Sequence, residues 1–253
     1  MRYMGRKYSG ARVTIAIIDS GINTDDPRLL GAHIEGWAIE LNATGHALLH
    51  SDFSDEQGNG TQVAAVIHDL APDALLLAVK LISKDDQPSA ELIAAGLETV
   101  YHNGIKIANL SLCSDDMAKS LLLRDCCVAA EAHGTLVIAA AHPQGERAYP
   151  ADFPETVGVS SHQDCPPDKF YFFEPARFPR KEWGPLSGKF LASGQLLDAD
   201  GYPSGFLGPG IATAYMSGRL ACLAQALPGQ DIGELVHQME RLGLIPNPEI
   251  GYL

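Results

Sequence analysis

Residues 13–18 read VTIAII, and Asp19, Ser20 and Gly21 follow them directly. A short apolar run that is rich in β-branched residues is typical of a parallel strand covered on both faces. The small and polar residues after it mark the point where the strand ends and a loop begins. This stretch therefore predicts a buried strand with a carboxylate at its C-terminal end.

Outward from this stretch, strand and helix patterns alternate along the chain. Apolar runs predict further strands at residues 74–81, 105–112, 135–141 and 156–160, and periodic patterns predict helices at residues 61–69, 90–103, 118–133, 211–227 and 230–242. This alternation is typical of βαβ units. We therefore predict an α/β fold with a mainly parallel, twisted sheet and helices on both faces, in a single domain over residues 1–253.

The charge of the chain excludes two classes of partner. The 253 residues carry a formal net charge of −13. An acidic surface repels the phosphates of nucleic acid and the head groups of anionic membranes. We therefore expect neither nucleic acid nor membrane as a partner, whereas a basic or neutral peptide suits this charge.

The cysteines and the first residues of the chain indicate the compartment. Five scattered cysteines, with no CxxC pair, are not typical of a disulfide framework or a zinc site. Residues 1–10 contain no apolar core of a signal peptide, and no stretch is long enough to span a bilayer. We therefore expect a cytoplasmic protein without a metal or other cofactor.

Five segments carry a resemblance to a known family. They are residues 17–22 (IIDSGI), 59–64 (NGTQVA), 71–80 (APDALLLAVK), 109–112 (NLSL) and 208–218 (GPGIATAYMSG). In this order they resemble the sequence blocks of the subtilisin-like serine proteases, the subtilase family (peptidase S8). The resemblance covers about residues 11–227, leaves residues 228–253 as a C-terminal helix and tail, and includes no recognisable prodomain. It implies the subtilase α/β fold.

The resemblance also implies that the catalytic residues are missing. Asp19 matches the aspartate of the triad, but Asn59 stands at the histidine position and Gly210 at the serine position. Asparagine cannot act as a general base, and glycine offers no nucleophile. Pro143 matches the asparagine that binds the oxyanion, and it has neither a side-chain amide nor a backbone N–H. We therefore predict a catalytically degenerate member, a pseudoprotease.

Peptide binding is the part of the family's function that does not need the triad. In the family, the segment that Ser111, Leu112 and Cys113 match pairs with an extended substrate backbone, and Ala141 and His142 lie at the end of the neighbouring strand. Main-chain pairing requires no catalytic side chain. We predict that these five residues bind a peptide or protein, and that the chain serves as scaffold or recognition subunit for an active protease or a peptide-modifying enzyme.

Two alternatives remain open at this point. Cys113 and His142 could form the nucleophile and base of an unorthodox peptidase. The chain could instead be a structural subunit that pairs with an active subtilase homologue through the aromatic residues 170–173 (FYFF), near Trp183. These aromatic residues lie in an insertion-like stretch, residues 165–189, and either form an exposed contact surface or pack against the sheet.

Overall fold

The computed structural model describes residues 1–81, 88–114, 117–173, 189–198 and 202–244. Trp183, most of the insertion-like stretch and the end of the predicted C-terminal tail lie outside the described residues. Within the described residues, no helix is both long enough and apolar enough to cross a bilayer.

The described residues form thirteen strands and five α-helices. The strands are β1 Arg2–Tyr3, β2 Arg6–Lys7, β3 Thr14–Asp19, β4 His33–Leu41, β5 Ala47–His50, β6 Leu75–Leu81, β7 Ile107–Leu110, β8 Leu136–Ala140, β9 Thr156–His162, β10 Phe170–Phe172, β11 Phe190–Ser193, β12 Gln195–Leu197 and β13 Pro203–Phe206. The helices are α1 Asn59–Leu70, α2 Ala90–His102, α3 Ser120–Ala132, α4 Pro209–Ala226 and α5 Ile232–Leu242, with 3₁₀ turns at Pro27–Leu29 and Met117–Lys119.

Nine of these strands form one sheet, in the order β10-β11-β9-β8-β7-β3-β6-β4-β5. Neighbouring strands run parallel except at the two edges, where β5 and β10 pair antiparallel. One face of the sheet packs on α1, α4 and α5, and the other face packs on α2 and α3. The predicted α/β fold, with a mainly parallel sheet between two layers of helices, is confirmed.

The strand that ends at Asp19 lies at the centre of the sheet. β3 is flanked by β7 on one side and by β6 on the other, and its residues Ile15, Ile17 and Ile18 are fully buried. The carboxyl ends of β3, β7 and β8 therefore meet at one edge of the sheet, which is where ligands bind in open α/β folds. Asp19 is the last residue of β3.

Two helices begin two residues earlier than the sequence patterns predicted. α1 starts at Asn59 and α4 at Pro209, so both Asn59 and Gly210 belong to a first helical turn. Proline at the first position suits α4, since its fixed φ is helical and its missing N–H would have no partner inside the helix. Asn59, which lies just before the helix predicted over residues 61–69, is therefore part of that helix, and the start of α1 itself borders the cleft.

The strand predicted over residues 105–112 is shorter than expected. β7 ends at Leu110, which is the last residue that pairs with β3 and β8. Ser111, Leu112 and Cys113 continue beyond the paired part of the strand and are half-buried. Because β7 is central, these three residues project from the middle of the sheet and do not form one of its edges.

Candidate functional site

A cleft of about 250 Å³ lies at the carboxyl ends of the central strands. It is bounded by the ends of β3, β7 and β8 and by the first turns of α1 and α4. The lining residues are Asp19, Asn59, Gln62, Val63, Ser111, Leu112, Cys113, Ala140, Ala141, Pro143, Leu207, Pro209, Gly210 and Ile211. The structure thus brings together Asp19, Asn59, Pro143 and Gly210, which are far apart in the sequence.

The Asp19 side chain is buried at the base of this cleft, with 3% of the residue's surface exposed. Its Oδ1 accepts a hydrogen bond from the Ser20 amide at 2.7 Å. Its Oδ2 is buried and accepts no hydrogen bond from any residue that the structure describes. Burial raises the pKa of the Asp19 carboxyl. The hydrogen bond from the Ser20 amide and the nearby hydroxyl groups of Ser111 and Ser20 oppose this shift, but the pKa stays above its ordinary value.

The raised pKa of Asp19 predicts a pH-dependent loss of stability. The folded chain holds this proton to higher pH than the unfolded chain, so stability falls as pH rises from the ordinary pKa of 3.8 to the raised value. Asp19→Asn keeps Oδ1 and removes the buried charge. We expect this variant to be more stable than wild type at pH 7 by at least about 1 kcal/mol.

Urea unfolding of both proteins between pH 4 and pH 8 tests this expectation. The difference in free energy of unfolding should be small at pH 4 and grow towards neutral pH. A difference that stays constant across this range, or an Asn variant that is the less stable protein at pH 7, would contradict it.

Asn59 is the first residue of α1, and its side chain is exposed at the rim of the cleft. Its amide is a hydrogen-bond donor in the same cleft as the Asp19 carboxylate. It donates no hydrogen bond to Asp19 Oδ2. The exposed position of the amide explains this, because Asn59 faces solvent while the carboxylate is buried.

Asp55 is a site residue that the sequence reasoning missed. Its carboxylate accepts the backbone amides of Gly58 at 2.8 Å and Thr61 at 2.9 Å, and the hydroxyl groups of Thr61 at 2.6 Å and Ser20 at 2.9 Å. Burial alone would raise the pKa of Asp55, but these hydrogen bonds outweigh it and lower the pKa. Asp55 thereby caps α1 and ties it to the residue that follows Asp19. An aspartate shortly before a helical pattern is the signal that could have identified it.

Gly210 lines the same cleft as Asp19 and belongs to the first turn of α4. A Cβ at this position would be 3.4 Å from the Ser111 Cβ and 3.7 Å from the Ser111 carbonyl oxygen. The first distance is at the lower limit of ordinary van der Waals contact and the second lies within it, so the cleft has room for a small side chain at this position. The Gly210 carbonyl accepts the Thr213 hydroxyl at 2.6 Å, and Thr213 is buried and does not line the cleft.

Ala141 and Pro143, which follow β8, line the cleft, but His142 does not. The His142 ring accepts the Gln144 amide through Nδ1 at 3.3 Å. Pro143 presents no N–H to the cleft. Of the residues predicted to bind a peptide, Ser111, Leu112, Cys113 and Ala141 therefore share this cleft.

A buried polar chain holds the residues after β7 in place. The Ser217 hydroxyl of α4 donates to the Asn109 Oδ1 at 2.9 Å, and the Asn109 Nδ2 donates to the Ser111 hydroxyl at 3.0 Å. Asn109 and Ser217 are fully buried. This chain links the centre of α4 to the wall of the cleft, so it fixes Ser111 relative to Gly210.

The aromatic residues 170–173 do not form an exposed surface. Phe170 and Phe173 are 8% and 9% exposed, and Tyr171 and Phe172 are half-buried. Phe170–Phe172 forms β10, which pairs with β11, and the Arg219 guanidinium of α4 lies 5.6 Å from the centre of the Phe170 ring. Of the two alternatives for these residues, packing against the sheet and α4 is the one that the structure shows.

Residues 10–239 match the sequence model described as the subtilase family, Peptidase_S8. Subtilisin BL of Lederbergia lenta is 32% identical over 170 residues, which cover 62% of this chain and 58% of that protein. The alkaline protease of Alkalihalobacillus alcalophilus is also 32% identical over 170 residues, which cover 62% of this chain and 41% of that protein. The chain thus aligns with about half the length of these relatives.

Solved structures share the fold at lower identity. The S41 psychrophilic protease superposes with a TM-score of 0.71 at 21% identity, over 94% of this chain and 85% of that chain. The nisin leader peptidase NisP of Lactococcus lactis gives a TM-score of 0.67 at 18% identity, over 92% and 82% of the two chains. The prenylagaramide maturation protease PagA gives 0.58 at 21% identity, over 84% and 75%.

Proposed function

The chain belongs to the subtilase family, and we propose that it is a catalytically inactive member that binds a peptide or protein segment in the cleft beside Asp19. One observation carries this proposal. The cleft positions Asp19 at its base, yet an amide side chain and a glycine line the same cleft where the family's mechanism requires a base and a nucleophile.

The chemistry of the lining residues supports inactivity. Asn59 has no nitrogen that accepts a proton near neutral pH, Gly210 has no side chain, and Pro143 has no N–H to stabilise an oxyanion. In this family, loss of the serine or the histidine alone costs about a millionfold in turnover. Among the described residues, no histidine lines the cleft, so Asp19 has no imidazole to orient there and the retained carboxylate does not sustain the family's reaction.

The shape and composition of the cleft support binding. Leu112, Val63 and Ile211 contribute apolar surface, and the backbone of Ser111 to Cys113 runs along one wall beyond the paired part of β7. Backbone along the wall of a cleft can add main-chain hydrogen bonds to a peptide, and apolar walls add contact area. Neither contribution depends on a catalytic side chain.

The solved structures suggest the setting of this binding. Two of the proteins with this fold are named as a maturation protease and a leader peptidase. We place the chain in a comparable setting as a cytoplasmic scaffold or recognition subunit. In this role it presents a peptide to an active protease or to a peptide-modifying enzyme.

Binding to a positional-scanning library of acetylated, amidated hexapeptides tests the proposal. We expect selected hexapeptides to bind the wild-type chain without being cleaved. Gly210→Leu should weaken them at least about tenfold, since its side chain enters the cleft beside Ser111. Gly233→Leu is the matched control, because Gly233 is also the second residue of a helix and lies outside the cleft.

Two results would overturn the proposal. One is cleavage of the hexapeptides by the purified wild-type chain at a rate that the Gly210→Leu variant abolishes. The other is an affinity that the Gly210→Leu variant leaves unchanged while circular dichroism shows that this variant is folded.

A further inference from the structure

The buried Oδ2 of Asp19 lacks the partner that such an atom requires. A buried acceptor without a hydrogen bond costs about 1–3 kcal/mol, and an ionised one costs more. Asp19 is 3% exposed, lines the cleft and has this oxygen unsatisfied among the described residues. A donor that arrives with a bound molecule would remove this cost.

From this geometry, and resting on the proposed function, we propose that the cleft selects peptides with a protonated basic side chain, lysine or arginine, whose N–H groups donate to Asp19 Oδ2. An ammonium or guanidinium group carries several donors and the charge that matches an ionised carboxylate. A neutral aliphatic side chain would leave the oxygen unsatisfied, and an acidic one would place two like charges together.

The rest of the lining suits the stem of a basic side chain. Asp19 is the only one of the fourteen lining residues whose side chain is an acid or a base, apart from the thiol of Cys113. Val63, Leu112 and Ile211 supply apolar surface along which the methylene groups of lysine or arginine can lie. No lysine or arginine among the described residues lines the cleft to compete for the carboxylate.

The charges around Asp19 favour a cation as well. The Asp55 carboxylate, held on the loop before α1, is close enough to add to the rise in the pKa of Asp19. Lys80 is aligned with Asp19 on the neighbouring strand, but its ammonium donates to the Ser54 carbonyl at 2.6 Å. With a net charge of −13, the chain as a whole attracts cationic peptides and repels anionic ones.

Neutral isosteres of the selected hexapeptides test the inference. We expect the tightest-binding hexapeptides from the library to contain lysine or arginine. Replacing that residue by norleucine or citrulline, respectively, should weaken binding to the wild-type chain at least about tenfold. Comparing the lysine and arginine series shows which cation the cleft prefers.

Two variants identify the carboxylate that is responsible. Asp19→Asn is isosteric, and in this variant the basic peptide and its neutral isostere should bind within about twofold of each other. Asp25→Asn is the matched control, since it removes one negative charge from an exposed position on the loop after β3 and should keep the tenfold preference. Thermal unfolding of both variants verifies that they are folded.

The outcomes separate this inference from the proposed function. The inference would be overturned if neutral hexapeptides bind the wild-type chain as tightly as basic ones. The proposed function would still stand if the Gly210→Leu variant binds those neutral hexapeptides more weakly than the wild-type chain does. A basic preference that survives in Asp19→Asn would also overturn it, because the preference would then arise from the overall charge. Failure of every hexapeptide to bind would remove the proposed function, and the inference with it.

Discussion

The triple variant Asn59→His, Pro143→Asn, Gly210→Ser should hydrolyse peptide amide bonds at least about a thousandfold faster than the wild-type chain. The three substitutions supply a base, an oxyanion donor and a nucleophile to a cleft that retains Asp19. The mechanism of this family uses all three of these groups.

Two features of the cleft favour this gain, one at Asp19 and one at position 210. Asp19 Oδ2 has no partner among the described residues, so it is available to accept a hydrogen bond from an imidazole at position 59. A Cβ at position 210 meets Ser111 at no less than 3.4 Å, so a serine can be accommodated without moving the backbone. A carboxylate bonded to the imidazole would orient it and raise its pKa.

Chromogenic and quenched fluorescent peptides measure the hydrolysis. The double variant Asn59→His, Pro143→Asn is the control that lacks only the nucleophile, and it should remain at the background rate. A folded triple variant that also stays at background would contradict the view that these three positions are what separates this chain from an active protease. Inhibition of the triple variant by a serine-directed reagent would show that the introduced serine is the nucleophile.

The central part of the fold was predictable because its strands are buried on both faces. The apolar runs of β3, β6 and β8 have no polar alternation, which is how a doubly covered parallel strand differs from a surface strand. The region of β4 and β5, residues 33–50, was missed. β4 reads HIEGWAIEL, with glycine and glutamate between its apolar residues, and β5 reads ALLH, so neither strand gives a continuous apolar run of the length that marked the buried strands.

The site residues that lie in recognisable sequence motifs were predictable. Those whose role depends on how a loop folds were not. Asp19, Asn59 and Gly210 lie in segments that match a known pattern, and the fold brings them to one cleft. Asp55 lies outside those segments, and its role arises only because its loop turns back to the start of α1. The unsatisfied Oδ2 of Asp19 depends on burial and on the direction of a side chain, which no sequence pattern reports.

The second large effect is expected at the contact between α1 and the end of β3. A Cβ on Gly60 would overlap with the Gly21 carbonyl oxygen and would lie 3.2 Å from the Asp19 Cβ. The backbone oxygen cannot rotate away as a side chain would, so α1 or the loop after β3 must move. We expect Gly60→Ala to lower the free energy of unfolding by about 3 kcal/mol or more.

Chemical denaturation of Gly60→Ala beside Gly233→Ala measures this effect at two matched positions. Both glycines are the second residue of a helix, but a Cβ on Gly233 meets only Asp231 Oδ1, at 3.4 Å. Gly233→Ala should therefore be neutral or slightly stabilising, since alanine favours a helix over glycine by about 0.5–1 kcal/mol. The movement forced by Gly60→Ala would also shift Asn59, which lines the cleft, so hexapeptide binding should weaken together with stability. Equal stability of the two variants would mean that the close approach of α1 to Gly21 does not hold the cleft together.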